Sequence, residues 1–155
     1  MTGRYIVKHL SVDRVDQAYP LLQSATGDLS LEKWRSYAAT RSAPGGVILD
    51  GGGGVVCVEK SEGYIHGLFD YRIDVDLHCG RTLVCGNVVA WDILNARSVL
   101  AVLFEAMDSL AKEHRCQAVH VSVPRAGGAL VPRLEDVGHS VGSVGLCKRL
   151  SGDDR

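Results

Sequence analysis

The chain contains no apolar run near the ~20 residues that a bilayer crossing requires, so no membrane-spanning segment is expected. Its first residues, MTGRYIVKHLSVD, have neither the apolar stretch nor the small-residue cleavage site of a secretion signal. An excess of one charge is also missing. The 17 Lys and Arg nearly balance the 18 Asp and Glu, and no basic stripe or cluster stands out, which argues against nucleic acid as a partner. Cysteines at metal-ligand spacing are lacking too: the 5 cysteines (Cys57, Cys79, Cys85, Cys116, Cys147) are irregularly placed and include no C-x-x-C pair. An odd, scattered set lying in or beside apolar segments reads as reduced thiols and a cytoplasmic location. The nearest approach to a metal cluster is His78-Cys79 with Cys85, but the intervening Gly80-Arg81 reads as a plain turn, so no metal site is expected. The four glycines at 51–54 are followed by no Gly-Lys-Ser/Thr and open no helix. They read as the loose tip of a hairpin rather than a phosphate loop.

What is present is a well-patterned chain of 155 residues, 46% of them hydrophobic, enough for one domain with a sizeable core. The expectation is a single domain over residues 1–150 and a frayed polar tail over 151–155. Residues 5–10 read as a first strand. Ser11 and Asp13 can cap a helix to about Ser24, and Ser30 can cap a second, LEKWRSYAATR, which Pro44-Gly45-Gly46 breaks. Short apolar runs at 47–49 and 55–58 form a hairpin across the glycines. Residues 63–75 alternate, with Ile65, Phe69, Tyr71, Ile73 and Val75 on one face. Tyr64, His66, Asp70, Arg72 and Asp74 fall on the other, wetter face.

Residues 83–94 are a strongly apolar strand that completes a long antiparallel hairpin with the preceding one. NARSVLAVLFEAMDSLAKEHRC then carries Val99, Leu100, Leu103, Phe104, Met107, Leu110 and Ala111 at helical spacing, and QAVHVSVP is the next strand. A short helix over 129–137 is closed by Gly138, and a last strand runs over 143–150. The order β-α-α-β-β-β-β-α-β-α-β gives an α/β (α+β) fold, a mixed, mostly antiparallel sheet of about seven strands flanked by about four helices.

VLAVLFEAMDSLAKEHRCQAVHVSV followed by ALVPRLEDVGHSVGSVGLCKRL resembles the GNAT superfamily, the Gcn5-related N-acetyltransferases: a long helix and its exit, a short helix ending in a Leu-Gly-Phe-like triplet (here Val137-Gly138-His139), and a closing strand. The resemblance implies acetyl transfer from acetyl-coenzyme A to an amine on a small molecule or peptide, and a possible homodimer. It also implies a Q/R-x-x-G-x-G/A turn for the cofactor pyrophosphate. Here that turn stands as Asn95-Ala96-Arg97-Ser98-Val99-Leu100, and all three defining positions depart. The family's carboxylate would fall at Gly86-Asn87 and its thiolate-protonating tyrosine at Leu134, neither of which can act so. Its asparagine after the next strand is replaced by Pro124-Arg125.

Read without the family, a strand-to-helix turn is an anion site because the first helix amides are unpaired. With Asn95 as cap, the amides near Arg97, Ser98, Val99 and Leu100 would face a phosphate, with the Arg97 side chain, Ser98 Oγ and Arg125 as added contacts. Alternatively, Arg97 points into solvent and tolerates a macrodipole penalty of a few tenths to about 1 kcal/mol. Backbone amides of Val88, Val89 and Ala90 are the candidates for the oxyanion contact. For proton transfer the candidates are His120, Asp92 and Tyr64, each with an ordinary structural role as the other reading; His66 and Tyr71 stand beside them. Two functions remain open: an acyl-coenzyme A-dependent N-acyltransferase, or a non-catalytic GNAT-fold domain that binds acyl-coenzyme A or another protein.

Overall fold

The computed structural model describes residues 5–42, 52–91, 96–124 and 127–150. Backbone contacts divide the chain into two units, Met1–Val123 and Pro124–Arg155. The first unit holds β1 (Tyr5–His9), α1 (Val15–Thr26), α2 (Leu31–Ser42), β2 (Gly53–Lys60), β3 (Ile65–Asp76), β4 (Gly80–Ala90), α3 (Ala96–Glu113) and β5 (Ala118–Val121). A 3-10 turn, Val12–Arg14, leads into α1. The strands form one sheet in the order β1-β2-β3-β4-β5, antiparallel except for the parallel β4–β5 pair that α3 connects.

Local chemistry explains the helix limits. Ser30 caps α2 as expected: its Oγ accepts from the Lys33 amide at 3.1 Å, satisfying one of the donors a helix start leaves unpaired. Gly27, at φ +72°, follows α1 in a backbone region that favours glycine. The apolar side chains then sort by face. Val55, Cys57 and Leu68 join Ala18, Leu21, Leu22, Trp34 and Ala38 in a cluster under α1 and α2. Val56 turns the other way, toward Val102, Ala106 and Leu110 of α3. Trp34 is buried and donates its Nε1–H to the Val15 carbonyl at 2.7 Å, tying the two early helices together.

Two expectations are corrected. The wetter face of β3 is limited to its far end, where the side chains of Arg72 and Asp74 are 42% and 51% exposed; around Asp70, α1 and α2 cover one side of the sheet and α3 the other. Ile65 joins the α1/α2 cluster, and Asp70 is only 5% exposed. The sheet also has five strands among the described residues rather than about seven. Of the two others expected, 47–49 lies outside the described residues. The segment 143–150 has no ladder partner among the described residues, and its Val144, Leu146 and Leu150 are exposed. Alternation makes a strand possible, but only a ladder satisfies its amides and carbonyls, and Gly142 and Gly145 add backbone entropy against extension. The expected tail over 151–155 lies outside the described residues as well.

In the second unit α4 (Leu130–Asp136) ends as its sequence predicts. Gly138 takes φ +98°, and the His139 amide returns to the Leu134 carbonyl at 3.0 Å, which closes the last turn.

A buried charge fastens the start of the chain. Glu59 is held by Lys8 Nζ at 2.6 Å and Arg14 Nη1 at 2.7 Å. Arg14 also donates to the Gly63 carbonyl. Burial alone pushes the Glu59 carboxyl up; the two cations overcome this and hold it below the usual carboxylate range. The folded state therefore binds this proton less readily than the unfolded chain, so the contribution is present above the ordinary glutamate pKa and is lost as pH falls through the lowered one. Glu59→Gln should cost about 1–2 kcal/mol at neutral pH, below the usual figure for breaking a buried pair because Lys8 is 48% exposed. In urea titrations that gap from the wild type should narrow below about pH 4; a gap constant with pH would contradict the role given to the carboxylate.

Candidate functional site

The β3–β4 ladder is broken once. Leu68 pairs with Val89 and Asp70 with Gly86, so Phe69 faces the two residues Asn87 and Val88. Such a bulge turns a side chain out of register, and here it turns Asn87, whose φ of +49° lies in the left-handed region. Asparagine tolerates that region better than most residues. The re-aimed amide donates to Asp70 Oδ2 at 2.6 Å and to the Tyr37 hydroxyl at 3.1 Å.

Asp70 is thus the centre of a four-residue cluster drawn from three elements: Asp70 on β3, Asn87 on β4, and Tyr37 and Arg41 on α2. Arg41 and Tyr37 are one turn apart, so both reach down from the same helix face. The Arg41 Nε donates to the Tyr37 hydroxyl at 3.1 Å, and its guanidinium lies 5.1 Å from the Tyr37 ring centroid. Its Nε stands 3.9 Å from Asp70 Oδ1. Burial pushes the Tyr37 hydroxyl above its ordinary range; Arg41 pulls it down and the Asp70 charge raises it again. It therefore keeps its proton at neutral pH.

Asp70 lies beside Gly86 of β4. A Cβ built on Gly86 would come to 3.6 Å from Asp70 Oδ1. A carboxylate from the neighbouring strand thus occupies space beside the position where β4 itself has no acid. Reading β3 alone put Asp70 on a wet face, and no signal within that strand marks it out. The pairing of Gly86 with Asp70 across the bulge is what brings it into the site.

Next to this cluster the sheet opens. The β4–β5 ladder runs from Thr82 with Ala118 to Cys85 with Val121, extended by the Ser122 amide to the Cys85 carbonyl at 2.9 Å. Beyond Cys85, residues Gly86, Val89 and Ala90 pair with β3, and the half-buried Val88, Val89 and Ala90 lie on this stretch. The start of α3 sits over it: a Cβ on Gly67 would meet Val99, Leu103 and the Val89 carbonyl. In the first turns of α3, Arg97 is exposed, Ser98 and Leu100 are half-buried, and Val99 is buried. Asn95 and Asp92 from the preceding turn, and Arg125, lie outside the described residues.

Among the described residues, the other candidates for proton transfer do not converge here. Tyr64 lies in the β2–β3 turn and is 68% exposed. His120 is half-buried on β5 opposite Val84, two strands away from Asp70. His66 pairs loosely with Glu62, at 3.8 Å. Tyr71 lies on the α3 side, accepting or donating at 2.7 Å with His9 Nε2. Leu134 is a buried residue of α4. Among the described residues no three of His, Cys, Asp and Glu come close enough to hold a metal ion. All five cysteines are free thiols; burial pushes Cys85 far up, which removes it as a nucleophile at neutral pH. No helix among the described residues is long and apolar enough to cross a membrane.

This arrangement of strands and helices recurs in solved structures. An aminoglycoside N-acetyltransferase in complex with coenzyme A aligns with a TM-score of 0.77 at 9% identity, covering 98% of each chain. A ribosomal-protein-alanine N-acetyltransferase from Brucella melitensis biovar Abortus 2308 aligns at 0.73 and 11% identity, over 95% of this chain and all of that one. A transcriptional regulator from Bacillus halodurans C-125 aligns at 0.75 and 11% identity, again over 95% of this chain. No family model matches the sequence, and no curated protein matches it. The chain has the fold of the GNAT acetyltransferases.

Proposed function

We propose that the protein is an acyl-coenzyme A-dependent N-acyltransferase, with an amine as acceptor. The observation that carries this reading is the Asp70 carboxylate beside Gly86, supplied from β3 where β4 has no acid of its own. The donor brings an activated acyl carbon and a thiolate leaving group. Asp70 takes the proton that the amine must lose as its nitrogen bonds to that carbon, directly or through one water. Asn87 orients Asp70 for this. The stretch Val88, Val89 and Ala90 lies beyond the end of the β4–β5 ladder, where backbone amides would serve a developing oxyanion and the donor's amide-rich arm.

The start of α3 supports the phosphate end. Its first-turn amides and the Ser98 hydroxyl suit an anion, and a phosphate there would turn the exposed Arg97 from a macrodipole penalty into an attraction. Tyr64 and His120 have no part in this scheme, since neither reaches Asp70.

Thermal melting with acetyl-coenzyme A tests the reading. At a hundred times Kd the ligand should add about 2.7 kcal/mol, and Arg97→Ala should weaken the response. A melting temperature unmoved by millimolar donor would overturn it. A shift without transfer to any amine would leave a binding domain, the alternative function.

A further inference from the structure

We propose that Arg41 and Asp70 together select an acceptor bearing a carboxylate next to its amine, the class of free α-amino acids. This rests on the acyltransferase reading and names the substrate class of the same site. Asp70 presents a negative charge under α2 and Arg41 a positive one, with Arg41 Nε 3.9 Å from Asp70 Oδ1. An α-amino acid carries the complementary pair, an ammonium and a carboxylate separated by a single Cα.

The guanidinium is built as a receptor rather than a loose surface charge. Its plane is fixed from two sides: Nε is committed to the Tyr37 hydroxyl, and the Tyr37 ring lies beneath it. That leaves the two Nη groups, the fork that matches a carboxylate bidentately, without a partner among the described residues. The side chain keeps 21% exposure while Asp70 keeps 7%, so the cation meets an arriving ligand before the carboxylate does. Asn87 spends its amide on Asp70 Oδ2 and Tyr37, so Oδ1 is the oxygen left for the ammonium. A peptide N-terminus or a simple amine would satisfy Asp70 and leave the fork unused.

Steady-state transfer from acetyl-coenzyme A, with the proteinogenic L-amino acids and their carboxamides as matched acceptors, tests this on the full chain. For the best amino acid, kcat/KM should exceed that of its amide about ten- to a hundredfold, the value of a hydrogen-bonded charge pair. Arg41→Ala should bring that ratio close to one, chiefly through KM, and Arg41→Lys should recover part of it. Melting curves establish that the variants are folded. Amides used as well as amino acids by the wild type, or a folded Arg41→Ala that loses both substrates alike, would overturn the proposal. If no acceptor is acylated, calorimetry with the amino acids alone decides. Binding that Arg41→Ala abolishes would uphold the receptor and remove only the enzyme; absence of binding would remove both.

Discussion

Asp70→Asn is expected to lower acyl transfer about 10²- to 10⁴-fold, the usual contribution of a positioned general base. The exchange keeps the shape of the side chain and an oxygen for the Asn87 amide, so the 2.6 Å hydrogen bond has a replacement acceptor. What disappears is the charge and the ability to take a proton. The loss should fall chiefly on kcat, with a smaller rise in the acceptor's KM from the lost ammonium contact, and acetyl-coenzyme A should still raise the melting temperature, because the donor's proposed contacts lie on β4 and α3. A variant within a few-fold of the wild type, at normal donor response, would show that Asp70 only closes the cluster. Asn87→Ala is the companion. It leaves the carboxylate and removes the donor that aims it, so it should cost less than Asp70→Asn and act through the same parameter.

The prediction depends on contacts that a linear reading reaches unevenly. α3 was legible because seven apolar side chains recur at helical spacing over 18 residues, and all but Leu100 of those expected to be buried are so. The parallel β4–β5 pair agrees with that helix, since a long helical crossover is what lets two successive strands run parallel, and successive strands usually lie side by side. Asp70 was not legible. Alternation says which side of a strand a residue occupies and nothing about what covers that side, and here α1 and α2 cover it.

Tyr37 and Arg41 had no apparent link to Asp70, because the link is the docking of α2 on the sheet. Asn87 looked incapable of chemistry, and by itself it is. Its importance comes from a bulge that no propensity announces. Neither Gly86 nor Asn87 carries an acid; the carboxylate nearest Gly86 is Asp70, on the next strand. The segment 143–150 erred in the opposite direction, being patterned like a strand without a ladder to complete it.

Gly67 should be the least replaceable glycine of the sheet. A Cβ there would stand 2.6 Å from Val99 Cγ1, 3.2 Å from Leu103 Cδ1 and 3.1 Å from the Val89 carbonyl oxygen. Val99 and Leu103 are fully buried, and the carbonyl belongs to β4, so none of the three is the free end of a flexible side chain. Overpacking of this kind costs about 1–3 kcal/mol, while losing a glycine returns about 0.4–1 kcal/mol through the unfolded chain. Gly67→Ala should therefore destabilise by about 1–2 kcal/mol, and Gly67→Val, with two further carbons, by about 3 kcal/mol or more. For a chain of this size 3 kcal/mol lowers the melting temperature by about 6–12 °C. The contact also ties the start of α3 to the opened stretch of β4, so the same variants should weaken acetyl-coenzyme A binding. Val99→Ala supplies the control. Alone it leaves a cavity and costs stability, but it removes the atom nearest the new Cβ, so the Gly67→Ala/Val99→Ala pair should cost clearly less than the two single changes added together. Strict additivity would mean that α3 does not press on β3 at this point.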